Sequence, residues 1–194
     1  MKRTFKSLIA ALMCLAISCS KEPMQNPLAA STQTIDNTTV QARKHFIGER
    51  FGGGIVFYLA DTTGKHGLIA DTVDLPPAFW WNGTHTVTGA TAKGIGTGKE
   101  NTLAILRAQG QPISAYYNYA AWECHKSVRS GYNDWFLPSR DELYELYKQK
   151  NVVGGLDTNG GYWNSSEFND TNAWIQNFND GPQFGNTKYY NNNV

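Results

Sequence analysis

The residues best equipped for chemistry gather late in the chain. Between Trp163 and Phe184 the rings of Trp163, Phe168, Trp174, Phe178 and Phe184 are interleaved with Asn164, Glu167, Asn169, Asp170, Asn177, Asn179 and Asp180. Aromatic faces pack on the apolar faces of sugar rings, while Asn, Asp and Gln meet hydroxyls with paired donors and acceptors. This is the chemistry of binding. The expected ligand-contacting set is Trp163, Asn164, Glu167, Asn169, Asp170, Trp174, Asn177, Asn179 and Asp180, carried on two loops that act as one surface. Each residue also has a plainer reading, the rings as core and the Asn and Asp residues as turn formers.

Catalytic chemistry is poorly provided for. His45, His66, His85 and His125 are scattered, with no triad, zinc spacing or nucleophile elbow around them. Asp141, Glu142 and Glu145 form an acidic helix start that capping and the helix dipole explain without acid–base roles. Glu167, Asn169, Asp170 and Asp180 are hard oxygen donors of the kind calcium takes, yet no Glu-Pro-Asn or Gln-Pro-Asp triplet accompanies them, so no metal site is expected. Gly94-Ile95-Gly96-Thr97-Gly98-Lys99 invites a phosphate-loop reading that its spacing refuses. Lys93 stands where a glycine is needed, and Glu100 replaces the Ser or Thr that would hold magnesium. The chain is therefore read as no enzyme, with no cofactor.

Binding residues need a frame, and the stretch Gly131 to Leu146 organises it. Tyr132, Trp135, Phe136 and Leu137 suit a turn entering a buried extended segment. Ser139 then sits where an N-cap belongs, with Glu142 three residues on and Leu143 and Leu146 beginning an apolar stripe. Upstream, Ile55 to Ala60 and Gly67 to Ala70 form a hairpin about Asp61-Thr62-Thr63-Gly64. Helical spacing predicts a helix over Asn101 to Gln109 with Leu103, Leu106 and Ile105 inward. A second runs from Ala115 to Val128, gathering Tyr116, Tyr119, Ala120 and Cys124 on one side. Tyr162 to Glu167, Ala173 to Phe178 and Gln183 to Asn186 alternate as antiparallel strands do.

The N-terminus reads as an export signal. Lys2, Arg3 and Lys6 precede the apolar run Ser7 to Ile17, too short to span a bilayer as a mature helix, and Leu15-Ala16-Ile17-Ser18-Cys19 resembles a lipobox. The alternative is an ordinary cleaved signal with an incidental cysteine. Residues 1–18 are thus a lipoprotein signal peptide, residues 19–44 a lipidated polar tether beginning at Cys19, and residues 45–194 one domain. Ser20-Lys21-Glu22 loosely resembles a surface-export signal, with a solvated spacer as the other reading. Without Lys2, Arg3 and Lys6, 14 basic residues face 16 acidic ones, a net charge of about −2. A nucleic-acid partner, which needs a basic face, is excluded on that ground. Cys124 is the single cysteine of residues 45–194, and a buried structural thiol is expected there.

Gly-Tyr-Asn-Asp-Trp-Phe-Leu-Pro-Ser-Arg-Asp-Glu-Leu, from Gly131 to Leu143, resembles the signature of the family named after the C-terminal domain of a bacterial collagen-like adhesin, much of it described as a domain of unknown function. The opening hairpin Gly-Gly-Ile-Val-Phe-Tyr with Gly-Leu-Ile-Ala, and the later Tyr-Trp-Asn-Ser-Ser-Glu with Ala-Trp-Ile-Gln-Asn-Phe, are similar to the same family. The resemblance implies an α+β, C-type-lectin-like fold, two or three helices packed on short antiparallel strands. Lectin-like folds include formylglycine-generating oxidases, which depend on a cysteine pair that Cys124 cannot supply. Family members also continue past the equivalent of Val194 with a closing strand, so the domain is expected to lack its last strand: either the sequence is a fragment, or the domain closes imperfectly and leaves Ile55 to Leu59 with an unpaired neighbour. Leader and resemblance together imply a lipid-anchored protein of the bacterial cell envelope, in the outer membrane with its periplasmic or cell-surface exposure left open, that binds extracellular glycan or protein in adhesion or capture. A structural or accessory subunit of a surface assembly, paired through a strand edge, is the alternative.

Overall fold

The computed structural model describes residues 2–5, 43–84 and 86–194. The lipobox, Cys19 and most of the tether lie outside the described residues, as does His85. The architecture is mixed α and β, with two small antiparallel sheets and helices packed around them. One sheet holds β1 (Lys2–Phe5), β2 (Arg50–Phe51), β3 (Gly54–Leu59) and β4 (Gly67–Ala70) in the order β1-β4-β3-β2. The helices are α1 (Gly98–Gln109), α2 (Ala120–Lys126), α3 (Arg140–Lys148) and α4 (Lys150–Val153). The second sheet is the meander β5 (Gly161–Glu167), β6 (Asn172–Asn177) and β7 (Gln183–Thr187).

Period-2 alternation in β3 and β4 divides the core. Val56 and Ile69 point into a cluster with Trp80, Ile105, Tyr119, Cys124, Trp135, Trp163 and Ile175. Ile55, Phe57, Leu68 and Ala70 point the other way, to Phe136, Leu143, Leu146, Val153, Tyr162 and Phe178. Both faces of the sheet are thereby buried, which explains a continuous apolar strand where a half-exposed one would alternate. Val194, in the first cluster, accepts the Leu75 amide at 3.0 Å, and Asn192 pairs with Ala78. β3 is central, with β2 on one side and β4 on the other.

The Ser139 helix start is built as its sequence predicts. Ser139 Oγ accepts the Glu142 amide at 3.3 Å and Glu142 Oε2 accepts the Ser139 amide at 2.8 Å, while Leu143 and Leu146 are buried. The glycine-rich segment now has a purpose. Gly96 N–H donates to Glu142 Oε1 at 2.7 Å, and Gly94 O accepts from Ser139 Oγ at 2.9 Å. One amide of the loop does meet an anion, and that anion is the protein's own capping carboxylate. Gly98 is required there by close approach, since a Cβ would stand 2.2 Å from Glu142 Oε2 and 2.7 Å from the Ser139 amide.

Two helices depart from expectation. α1 begins at Gly98, and its buried residues include Asn101, Thr102 and Gln109 beside Ile105, whereas Leu103 and Leu106 are half-buried. The inward polar groups fasten loops: Asn101 Nδ2 donates to Ala92 O at 2.6 Å, Thr102 Oγ1 to Leu137 O at 3.1 Å, and Gln109 Oε1 accepts the Asn82 amide at 2.6 Å. The predicted Ala115–Val128 helix is broken into a 3-10 turn, Ala115–Tyr117, and α2. Tyr119 between them is extended and bridges to Phe79, whose carbonyl accepts the Ala120 amide at 2.8 Å, so tertiary pairing overrides helical spacing and leaves Tyr116 exposed.

Candidate functional site

The β5-β6-β7 meander decides which of the expected contact residues can meet. Consecutive hairpins of a meander turn at opposite ends of their shared strand. Asn169 and Asp170 lie in the β5–β6 turn, Asn179 and Asp180 in the β6–β7 turn, and β6 between them spans six residues. At about 3.3 Å per residue the turns stand roughly 17 Å apart. They do not form the single surface expected of them.

Three members of the set are withdrawn into the interior. Trp163 is 1% exposed and donates its indole N–H to Ala78 O at 2.9 Å. Asn164 is fully buried, its carbonyl accepting from Trp80 Nε1 at 2.8 Å and its Oδ1 from the Ser166 amide at 2.9 Å. β5 loses register with β6 between Trp163 and Glu167, and the bulged residues reach elsewhere: Ser165 N–H to Pro138 O at 2.7 Å, Ser166 Oγ to Ala92 O at 2.7 Å.

Glu167 is a structural hub. Its carboxylate accepts the Thr88 amide at 3.1 Å on each oxygen and the Gly89 amide at 3.1 Å, and meets Lys188 Nζ at 2.6 Å. Lys188 also donates to Asp170 O at 2.8 Å and lies 4.9 Å from the Trp80 ring centroid. Glu167 and Lys188 are 2% and 3% exposed. Ligation or sugar contact by Glu167 would require dismantling this network, which ties β5 to the Thr88 loop and the chain after β7.

The turn residues behave as turn formers. Asn169 Oδ1 accepts from the Thr171 amide at 3.0 Å and the Asn172 amide at 2.8 Å, and Asn177 Oδ1 from the Asn179 amide at 2.8 Å. Asp170, Asn179 and Asp180 are exposed.

Trp174 is the aromatic that both anchors and shows itself. It is half-buried, and two cations crowd its ring: Lys93 Nζ at 5.1 Å and Arg140 Cζ at 5.2 Å from the centroid. Phe168, half exposed, meets it edge-on at 4.8 Å. Gly185 opposite Trp174 on β7 makes room, because a Cβ there would press on the Phe168 ring at 3.1 Å. Arg140 is held in place by Asp141, at 3.0 Å through Nε and 2.9 Å through its terminal nitrogen, and Asp141 N–H donates to Lys93 O at 2.9 Å. Lys93 and Arg140 were invisible as site residues because neither shares a periodic segment with Trp174. The Asp141–Lys93 backbone bond brings them there.

A concavity of about 210 Å³ lies between α1, α2 and the organising stretch, lined by Leu103, Trp135, Phe136, Lys99, His125 and Asp134. Thr102 also lines it, but its hydroxyl is spent on Gly98 O at 2.8 Å and Leu137 O at 3.1 Å. Two buried phenols are displaced upward in pKa. Burial pushes Tyr119 up to about 12, and burial with the Asp74 hydrogen bond raises Tyr162 further. Both belong to the core. Cys124 is buried as expected.

Among the described residues no group of three or more His, Cys, Asp or Glu side chains is placed to hold a metal ion, and no helix is long and apolar enough to cross a membrane. No protein-family model matches the chain, and no curated protein is significantly similar to it.

Proposed function

We propose that the chain is a lipid-anchored binding protein of the bacterial cell envelope, held through Cys19, whose lectin-like α+β domain recognises an extracellular glycan or protein ligand in adhesion or capture. The observation that carries this reading is the Trp174 platform. It presents an indole and the Phe168 ring at the surface, with two cations fixed beside them by backbone and ion-pair contacts. A sugar ring stacks on such a platform through its C–H face, and Lys93 and Arg140 supply donors to oxygens at its edge. Asp170, exposed in the adjacent turn, can accept from hydroxyls.

The remaining members of the expected contact set take other roles. Trp163, Asn164 and Glu167 are buried and fasten β5 to its neighbours, Asn169 shapes the β5–β6 turn, and Asn177, Asn179 and Asp180 serve the far turn. The test is binding of the soluble chain from residue 19, carrying Cys19→Ser, to a glycan and extracellular-matrix array with and without calcium. Binding is expected to be calcium-independent and to fall at least tenfold, about 1.4 kcal/mol, in Trp174→Ala with the fold intact. An empty array from folded protein would overturn the reading.

A further inference from the structure

The four-stranded sheet owes one of its edges to the leader. β1, residues 2–5, lies antiparallel on β4, with Lys2 opposite Ala70 and Phe5 opposite Gly67. The other side of β4 is taken by β3. Among the described residues both core clusters are drawn from residues 55–194. Removal ahead of Cys19 would uncover a line of N–H and C=O groups from Gly67 to Ala70.

β4 carries none of the usual guards of an open edge. Gly67-Leu68-Ile69-Ala70 holds no proline and no charge, and the bulge of this sheet sits on β3, between Val56 and Tyr58. A bare edge of that kind is a template for another strand.

We propose that, once the leader is removed, the β4 edge is closed by β4 of a second copy of this chain, making one continuous antiparallel sheet across a two-fold axis. The proposal rests on the export reading but not on the ligand. Symmetry restricts the register. A two-fold perpendicular to the sheet keeps each face up, and opposed residues must share a face, so paired numbers must sum to an even value. Placing Leu68 on the axis satisfies this. Gly67 then faces Ile69 of the partner subunit, and Lys65 faces Asp71 of the partner subunit, once at each end.

The charges suit that arrangement. Lys65 is exposed, and Asp71 is buried at 7% with Oδ2 lacking a hydrogen bond, Arg129 Nε standing 3.3 Å away. Centring on Ile69 instead would set Gly67 against Asp71 of the partner subunit and Lys65 against Val73 of the partner subunit. Centring on Gly67 would set Lys65 against Ile69 of the partner subunit. Only the Leu68 register pairs opposite charges at both ends of an uncharged ladder.

The experiment compares the chain from residue 19, carrying Cys19→Ser, with its Lys65→Glu variant by sedimentation velocity and by hydrogen exchange of residues 66–70. A dimer is expected, with 66–70 amides protected more at high than at low protein concentration. Lys65→Glu, which sets two acids against each other at each end, should weaken association at least tenfold. A synthetic peptide of residues 1–7 should dissociate the dimer by taking the edge back. A monomer at every concentration overturns the proposal, as does a dimer indifferent to both Lys65→Glu and the peptide. Mass analysis of the protein from membranes closes the remaining route: retention of residues 1–18 would mean that the edge never opens, and would overturn it too.

Discussion

Lys188→Met asks most of the structure, because it deletes one charge from a pair that water does not reach. Glu167 and Lys188 are 2% and 3% exposed and 2.6 Å apart, and among the described residues the carboxylate's other partners are the Thr88 and Gly89 amides. Removing one member of a buried pair costs about 3–5 kcal/mol, since the survivor keeps its desolvation penalty without its counter-charge. For a domain of this size, roughly 2–4 °C per kcal/mol converts that into a loss of about 6–20 °C in Tm. Glu167→Gln should cost a similar amount by stranding the ammonium. The double variant Glu167→Gln/Lys188→Met strands neither, so it should be more stable than the two single losses sum to by about 2 kcal/mol. Urea unfolding of all four proteins measures this cycle. A loss under about 1 kcal/mol for Lys188→Met, or an additive double variant, would show that the pair is solvated and the hub misread. Glu167→Gln measured for binding at a temperature where it is folded should retain affinity, separating a structural carboxylate from a ligand-contacting one.

Other outcomes follow from single contacts. Gly98→Ala places a methyl against the Ser139 amide and the buried Glu142 carboxylate, and should cost about 1–3 kcal/mol or more in chemical denaturation. Tyr119, at about 12 when folded against about 10 unfolded, keeps its proton longer in the native state. The unfolded chain therefore binds fewer protons above pH 10, and stability falls by up to about 1.4 kcal/mol per pH unit between pH 10 and 12. Tyr162 shifts in the same direction and adds to the fall. Tyr119→Phe should flatten the denaturation free energy across that window relative to wild type. Gly185→Ala, which crowds the Phe168 ring, should weaken array binding several-fold with less than about 1 kcal/mol change in stability, and unaltered binding would exclude Phe168 from the platform.

What was legible in the chain was local. The Ser139–Glu142 capping box, the Gly54 to Ala70 hairpin and the three aromatic strands are written in short spacings, and each is present. The candidate site was harder because it depends on which ends of strands coincide. Three consecutive antiparallel strands already imply that their two turns point opposite ways, so the separation of Asp170 from Asp180 was readable in principle. Burial of Asn164 and Glu167 was not, since a polar residue in an alternating strand looks outward until its partners, Trp80 and Lys188, arrive from more than twenty residues away. The break at Tyr119 comes from backbone pairing with distant Phe79, and the inward polar face of α1 from side chains committed to loops outside the helix.

The most direct test of the Trp174 platform is a paired glycan and matrix array, wild type beside Trp174→Ala, with Lys188→Met, folded at the assay temperature, as the structural control. The platform predicts that wild type and Lys188→Met bind the same ligands and that Trp174→Ala, equally folded by near-ultraviolet circular dichroism, loses at least tenfold in affinity. Equal binding by Trp174→Ala would contradict it.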